Sequence, residues 1–527
     1  MAVPPANLRM PPDRSAPPRE LEIRPKQVQA WLGGLQLAQS IEVAKKMSAH
    51  LAALNRAKFD LDDRLQILEI YRPIASTVLE ELDAIFSKSA LPLGPRARDA
   101  LTQARGLAFE LAVGYRIAVT EKSGKLIAFG AKKLLPGLAL RAMEYLGAEL
   151  RASYKAYAPV PAGIWHEMHH LYLFAEKEGL AGESADPETK ATVRDAYCES
   201  LLLSLTDPYR LVQGEADKIL AQIRGLRGLA TLGQKRPETR PGGHFLVPCD
   251  TDKAPKPSLS ANDETGGPNW RMLDANPIVD KLRARKQAID SGNVSATMSK
   301  SVSLDVLALM GRLIQLWGDP PRRAYRRDPM DTSVAICVGL KSIAHFISNE
   351  KDVDPAAEAE MIRSGITIPL VAVPNDEASK QFPVYEWDVV NQSEGGVKVR
   401  RTEDTLQPVA VGDAVGMKMV GRTRWSVGVV RWITQLDEGG MEFGVQFLAP
   451  AASLVWVQPA MSASPQAKVG LVLEDADAEE ASLLTVPNMY SDLRVFELEE
   501  QGSVWSVRAT QLIEKTSRFE LFHVAPC

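Results

Sequence analysis

Two stretches of this chain hold residues whose kind and spacing could do chemistry. Residues 165 to 172 read WHEMHHLY, in which His166, Glu167 and His170 spell H-E-x-x-H. Two histidines four apart share one helix face and can reach the same metal ion, and a glutamate beside the first can activate a bound water. Such a centre needs a third ligand, and Glu188 and Glu199 stand at a suitable distance downstream. The second stretch, GDPPRRAYRRDPMDTSVAICVGL, puts Arg322, Arg323, Arg326 and Arg327 within six residues, directly before a predicted strand. Beyond it, VYEWDVVNQSEGGVKVRR carries Asn391, Ser393 and Gly396 as N-x-S-x-x-G at a strand–turn–strand junction. WSVGVVRWITQLDEGGMEFGVQFLAP then reads as a hairpin ending in Gly-Val-Gln-Phe.

The zinc reading competes with a simpler one. Trp165, Met168, Leu171, Tyr172 and Ala175 form an apolar stripe at helical spacing, and Gly179 ends the run. That is the pattern of an amphipathic packing helix with a glycine stop. A protease of this type also needs an edge strand to hold its substrate, and the flanking sequence offers none. The packing helix is therefore preferred, with His169 and His170 as surface or partly buried imidazoles whose hydrogen bonds are satisfied. A zinc metallohydrolase using His166, Glu167 and His170 stays as the alternative.

The order R-R-x-x-x-R, strand, [D/N]-x-S-x-x-G and closing hairpin resembles the PilZ domain, over about residues 320–452. Either motif alone would be a solvated basic linker or an ordinary turn; their order before a matching hairpin carries the resemblance. It implies a small six-stranded antiparallel β-barrel that binds the bacterial second messenger cyclic di-GMP. Carried over by motif, Arg323 and Arg327 are the R-x-x-x-R pair with Arg322 preceding, and Arg322 with Arg326 is the other possible pairing. Asn391, Ser393 and Gly396 match the second motif, with Gly395 beside them. The chemistry suits the ligand, which presents two phosphates and two guanine edges. Guanidinium grips either with paired hydrogen bonds and stacks on a base. Asn391 and Ser393 supply short polar side chains for a base edge. Gly395 and Gly396 permit positive φ and let the backbone approach the ligand closely. Lys398, Arg400 and Arg401 add positive charge on the strand after the turn, with solvated edge-strand charge that discourages aggregation as the simpler reading.

The elements that must position these residues follow from periodicity. The chain has 527 residues, 45% apolar and 24% charged, with a formal charge of −4. That is an ordinary globular composition of about three domains, without the basic balance of a DNA or RNA coat. Its four cysteines, Cys198, Cys249, Cys337 and Cys527, form no C-x-x-C pair, which fits a reducing, cytoplasmic setting. No run approaches the roughly 18 apolar residues of a membrane span, so no membrane insertion is expected. Residues 1–25 read as a disordered proline-rich tail. Residues 26–230 repeat apolar positions every three or four residues and predict an all-α array of roughly seven to nine helices, with N-caps at Asp60 and Asp186. A Pro- and Gly-rich connector, 231–270, contains one apolar island, HFLVPC. A helical connector, 271–319, precedes the barrel, 320–452.

The barrel segment has a peculiarity, since Arg327 and Asn391 stand 64 positions apart. An insertion, 348–383, is expected there, with a short helical piece and a strand, GITIPLVAV. Residues 453–527 predict a β extension, and the echo between FGVQFLAP and FELFHVAP raises a second small β-unit. The fold class is thus multidomain α + β. The function expected is a non-enzymatic cyclic di-GMP receptor without cofactor, relaying messenger level to an unidentified protein partner through its helical domain. A barrel that has lost its ligand and serves as an adaptor or chaperone-like scaffold is the further alternative.

Overall fold

A computed structural model gives the structure and describes residues 11, 14–123, 131–186, 188–234, 242–258, 269–291, 304–321, 325–350, 381–403, 407–437, 439–460, 466–474 and 480–527. The chain divides into two compact units, one of Met1–Ser89 with Leu93–Arg322, the other of Ala90–Pro92 with Arg323–Cys527.

The first unit opens with eight α-helices among the described residues: α1 (Pro25–Gly33), α2 (Ser40–Arg56), α3 (Leu61–Phe86), α4 (Pro95–Ser123), α5 (Ala131–Lys155), α6 (Ile164–Lys177), α7 (Val193–Ser204) and α8 (Glu215–Gly225). Asp60 caps α3 as expected, accepting from the amides of Asp62 and Asp63 at 2.9 and 3.2 Å. Asp186 does not cap a helix. It accepts from the amides of Glu188 and Thr189 within a turn, and α7 starts instead from a capping box of Thr192 and Asp195. The middle of α4 is buried on every side, from Leu111 through Val119, and α2, α3 and α5 pack around it. A helix buried all round belongs at the centre of an array.

The expected tail is only partly described. Within it Ser15 forms a bridge with Ala57, its amide donating to Arg56 O at 3.1 Å. The connector 231–270 is likewise more ordered than a linker. It supplies β1 (Thr231–Gly233), β2 (His244–Pro248), β3 (Lys256–Pro257) and the start of β4 (Trp270–Asp274) to a sheet ordered β1-β4-β2-β3. The island HFLVPC is its buried strand β2. Then come α9 (Asn276–Asp290) and α10 (Leu304–Gly318), which pack on each other. No helix among the described residues is long and apolar enough to cross a membrane.

The second unit holds two closed barrels. The first contains β5 (Asp328–Val338), β6 (Val384–Ser393), β7 (Gly396–Arg401), β8 (Ala414–Met419), β9 (Ser426–Gln435) and β10 (Met441–Ala449). The second contains β11 (Ala451–Pro459), β12 (Lys468–Glu474), β13 (Ala481–Thr485), β14 (Val495–Glu500), β15 (Ser503–Lys515) and β16 (Glu520–Pro526). Counting strands within each barrel, both run 1-2-3-6-5-4 around the ring, every pairing antiparallel. The tail strands are therefore a second barrel of the same topology. A helix absent from the sequence expectations, α11 (Leu340–Ser348), follows β5. Its Leu340, Ile343 and Ala344 lie between the outer faces of the barrels, with Cys337, Val427 and Val429 on one side and Leu471, Leu473 and Leu521 on the other. Burying a Leu or Ile side chain there is worth about 1.5–3 kcal/mol. The helical piece and strand expected within the insertion fall on 351–380, outside the described residues.

Candidate ligand-binding site

The two motifs of the barrel segment meet at one corner. Strand β5 begins at Asp328, immediately after the arginine-rich segment, and its first residues pair with the end of β6: Asp328 opposite Gln392, Pro329 opposite Asn391. Arg326 and Arg327 are exposed; Arg326 Nε stands 3.6 Å from Asp328 Oδ1, with 92% of its side-chain surface open to solvent. Tyr325 crosses the gap. A Cβ built on Gly395 would lie 2.9 Å from two carbons of the Tyr325 ring, so that ring rests against the bend. Arg322 and Arg323 fall outside the described residues.

A bulge aims the second motif. Val389 pairs with Val399, both buried, but the register then slips so that Asn391 faces Lys398 and Ser393 faces Gly396. The extra residue, Val390, turns Asn391 to the outer surface that strict alternation would have denied it. Ser393 Oγ donates to Gly396 O at 3.3 Å, and Gly395 O accepts from the Phe447 amide at 3.1 Å. Neither Gly395 nor Gly396 uses the positive φ open to glycine. Proximity explains these glycines: a Cβ on Gly396 would sit 2.2 Å from Val445 O on β10.

Across the same outer surface Lys398 pairs with Gly444 and Gly396 with Gln446 on β10, and Gly444 pairs in turn with Trp432 on β9. The Trp432 indole lies over Gly444, where a Cβ would come within 1.9 Å of its Nε1. Lys398 Nζ is 5.8 Å from the Trp432 ring centroid and 2.8 Å from Glu442 Oε2. Arg400 donates to the other Glu442 oxygen at 2.6 Å. Burial pushes the Glu442 carboxyl up, and the hydrogen bonds from Lys398 and Arg400 more than offset it, leaving it below its ordinary value. Arg401 donates to Glu386 O at 2.8 Å and lies over the Tyr385 ring. The edge-strand reading of these charges fails because the barrel is closed and β7 is paired on both sides. Trp432, Gln446 and the neighbouring Arg431 were missed by motif reasoning. Their signal was a strand glycine, Gly444, whose missing side chain leaves room for a ring.

The H-E-x-x-H segment gives the opposite result. Glu167, which would have to face a metal-bound water, is 1% exposed and paired with Arg116 at 2.9 Å. His169, at a variable position of the motif, is wholly buried between Tyr197 Oη at 2.5 Å and Lys253 O at 2.8 Å. Its burial lowers the pKa to about 4, so the ring is neutral near pH 7. His166 and His170 lie ring against ring, with centroids 4.0 Å apart. Glu199 is held by Arg151 and Arg224 at 3.2 and 2.9 Å, and Glu188 is an exposed turn residue. No group of three metal-ligating side chains occurs among the described residues. The zinc reading finds no support here. Helix α6 is a packing helix, its first amides capped by Asp252, which accepts from Gly163 N at 2.6 Å and His166 N at 3.1 Å.

Comparison with known proteins follows the same division. Residues 26–238 match the family model described as cyclic-di-GMP receptor FimW, N-terminal domain. Residues 244–365 and 370–453 match the one described as cyclic-di-GMP receptor FimW, middle PilZ domain. The second match thus takes in β2 to β4, α9 and α10 as well as the first barrel, and neither match reaches past residue 453. The chain is also similar to the cyclic-di-GMP receptor FimW of Pseudomonas aeruginosa, 25% identical over 478 residues that cover 81% of this chain and 77% of that protein.

Proposed function

Because this chain belongs to the PilZ-domain family of cyclic di-GMP receptors, we propose that it binds cyclic di-GMP on the outer face of its first barrel and acts in the bacterial cytoplasm by binding, without catalysis or cofactor. The observation that supports this reading is Tyr325, the residue before Arg326 and Arg327, resting on Gly395 of the bend. In this reading Arg323 and Arg327, or Arg322 and Arg326, close over the phosphates and guanine edges. Asn391 and Ser393 take a base edge, and Trp432 offers a flat surface for stacking.

Isothermal titration with cyclic di-GMP tests it. Arg323→Ala and Arg327→Ala should each weaken binding by about 1.5–3 kcal/mol, the worth of a hydrogen bond to a charged group. No measurable binding by the unaltered protein would favour the ligand-less adaptor. Relay to a protein partner through the helical unit belongs to the same proposal. That unit carries a groove of about 890 Å³ between α3 and the α5–α8 side, with Arg72, Asp83, Tyr145, Arg151 and Lys155 among its lining. Ligand-dependent protection from hydrogen exchange along α3 or α5 would support the relay, and unchanged exchange throughout the helices would remove it.

A further inference from the structure

Arg431 occupies the irregularity where β9 slips against β10 between Gly444 and Val445, and side chains from both barrels reach its guanidinium. Its Nε donates to Gln446 Oε1 at 2.7 Å, and Gln446 is the residue paired with Gly396 in the candidate site. Its two terminal nitrogens donate as a fork to Glu514 of β15, Nη1 to Oε1 at 2.5 Å and Nη2 to Oε2 at 2.8 Å. The second barrel thereby places a carboxylate at the margin of the first barrel's outer face.

The second barrel has neither of the two sequence motifs that flank the first. Only Pro450 separates β10 from β11, so no arginine segment precedes its first strand. Between β12 and β13, where the first barrel has its Asn-Ser-Gly bend, the chain reads DADAEE, four of its six residues acidic. What this barrel adds to the neighbouring site is Glu514. The fork that an arginine offers a carboxylate is the fork it offers a phosphate, and a partly exposed pair (29% and 20% of the side-chain surfaces) is weak enough to be exchanged.

We propose that Arg431 is a further contact for the phosphate of cyclic di-GMP, held in reserve by Glu514, so that the second barrel sets the affinity of the first by competing for one guanidinium. This rests on the reading of the site given above. Titration of the full chain with cyclic di-GMP separates the two. Glu514→Gln, which removes the competing charge and keeps the shape, should tighten binding about three- to fivefold. Arg431→Ala should weaken it about tenfold or more, and the double variant should match Arg431→Ala alone. A gain of affinity cannot come from loss of fold, so the first variant tests the idea even if the second is destabilised. If the unaltered protein binds while Glu514→Gln leaves its affinity unchanged or lowered, the competition is refuted and the site stands. If the unaltered protein does not bind, the site and the competition fall together.

Discussion

The two barrels of this protein share one ring order of strands, yet their flanking segments and outer surfaces carry different residues. It is preceded by four arginines, bends at Ser393–Gly396, and carries Trp432 over Gly444 on its outer face. The second follows its neighbour after a single proline, has an acidic segment at the matching bend, and directs its outer apolar side chains largely into the shared core with α11. Barrel closure requires alternating apolar residues facing inward, such as Val455, Val457, Phe496 and Phe522 in the second, and leaves the outer positions open to other uses. Topology therefore says little about function here, and the outer decoration says nearly all of it.

The comparison is broken most forcefully at the bend. Gly396→Val would drive side-chain atoms into Val445 O, which a Cβ alone would approach to 2.2 Å. Overpacking with no flexible neighbour to move should cost about 3 kcal/mol or more and abolish ligand binding. At the start of the third strand of the second barrel stands Ala481, which is exposed, and Ala481→Val should change stability by less than about 0.5 kcal/mol. Urea denaturation of the two variants checks both figures, and equal midpoints would show that the close approach at Gly396 is not a constraint. A smaller contrast lies in the tryptophans. Trp432→Ala should weaken cyclic di-GMP binding by about 1–3 kcal/mol, the range for loss of a stacked base. Trp456→Ala, on the outer face of the second barrel and 48% exposed, should leave the titration unaltered. Equal losses would assign the ligand to both barrels.

Much of this architecture is legible in the residue order because period and punctuation are local. The run NPIVDKLRARKQAID within the helical connector coincides with α9, and ten runs that read as strands by alternation fall on β5 to β10, β12 and β14 to β16 with small shifts at their ends. What could not be read depended on distant partners. Strand β11 has no turn signal before it, and β13, ASLLT, is too short for alternation to show. Strands β1 to β4 are two to five residues long and sit in a Pro- and Gly-rich stretch that reads as a connector. The echo between FGVQFLAP and FELFHVAP does fall on the sixth strand of each barrel, but not in the same facing. Gln446 in one is exposed, and Phe522, which aligns with it, is fully buried. A shift of one residue reverses every side chain in a strand, so the likeness of the barrels lies in their connectivity. For the site, the motifs located the corner but not the Val390 bulge that turns Asn391 outward, nor the contribution of Glu514 from another barrel. Both are products of pairing register. The H-E-x-x-H match misled for a related reason, since the burial of Glu167 against Arg116 is decided by helix packing.

The finest contrast concerns the carboxylate on each sixth strand. Glu442 on β10 lies between Lys398 and Arg400, beside the candidate site. Glu520 on β16 is wholly buried, and its Oε2 accepts from the amides of Met489 and Tyr490 at 2.8 and 2.7 Å while Oε1 meets Lys515 at 3.0 Å. Burial raises its pKa, and the backbone and Lys515 hydrogen bonds outweigh that and bring it below the ordinary value. A folded pKa below the unfolded one, near 4.3, means that this group's stabilisation is complete above roughly pH 4.3 and fades as pH falls through the folded value. Glu520→Gln keeps the oxygen that serves Met489 and Tyr490 and loses the charge facing Lys515. It should therefore cost only about 0.5–1.5 kcal/mol at pH 7, and less in acid, where the native carboxyl is itself protonated. Urea midpoints at neutral and acid pH measure that difference. A penalty that stays constant into acid would mean that the carboxylate serves the second barrel only through its shape.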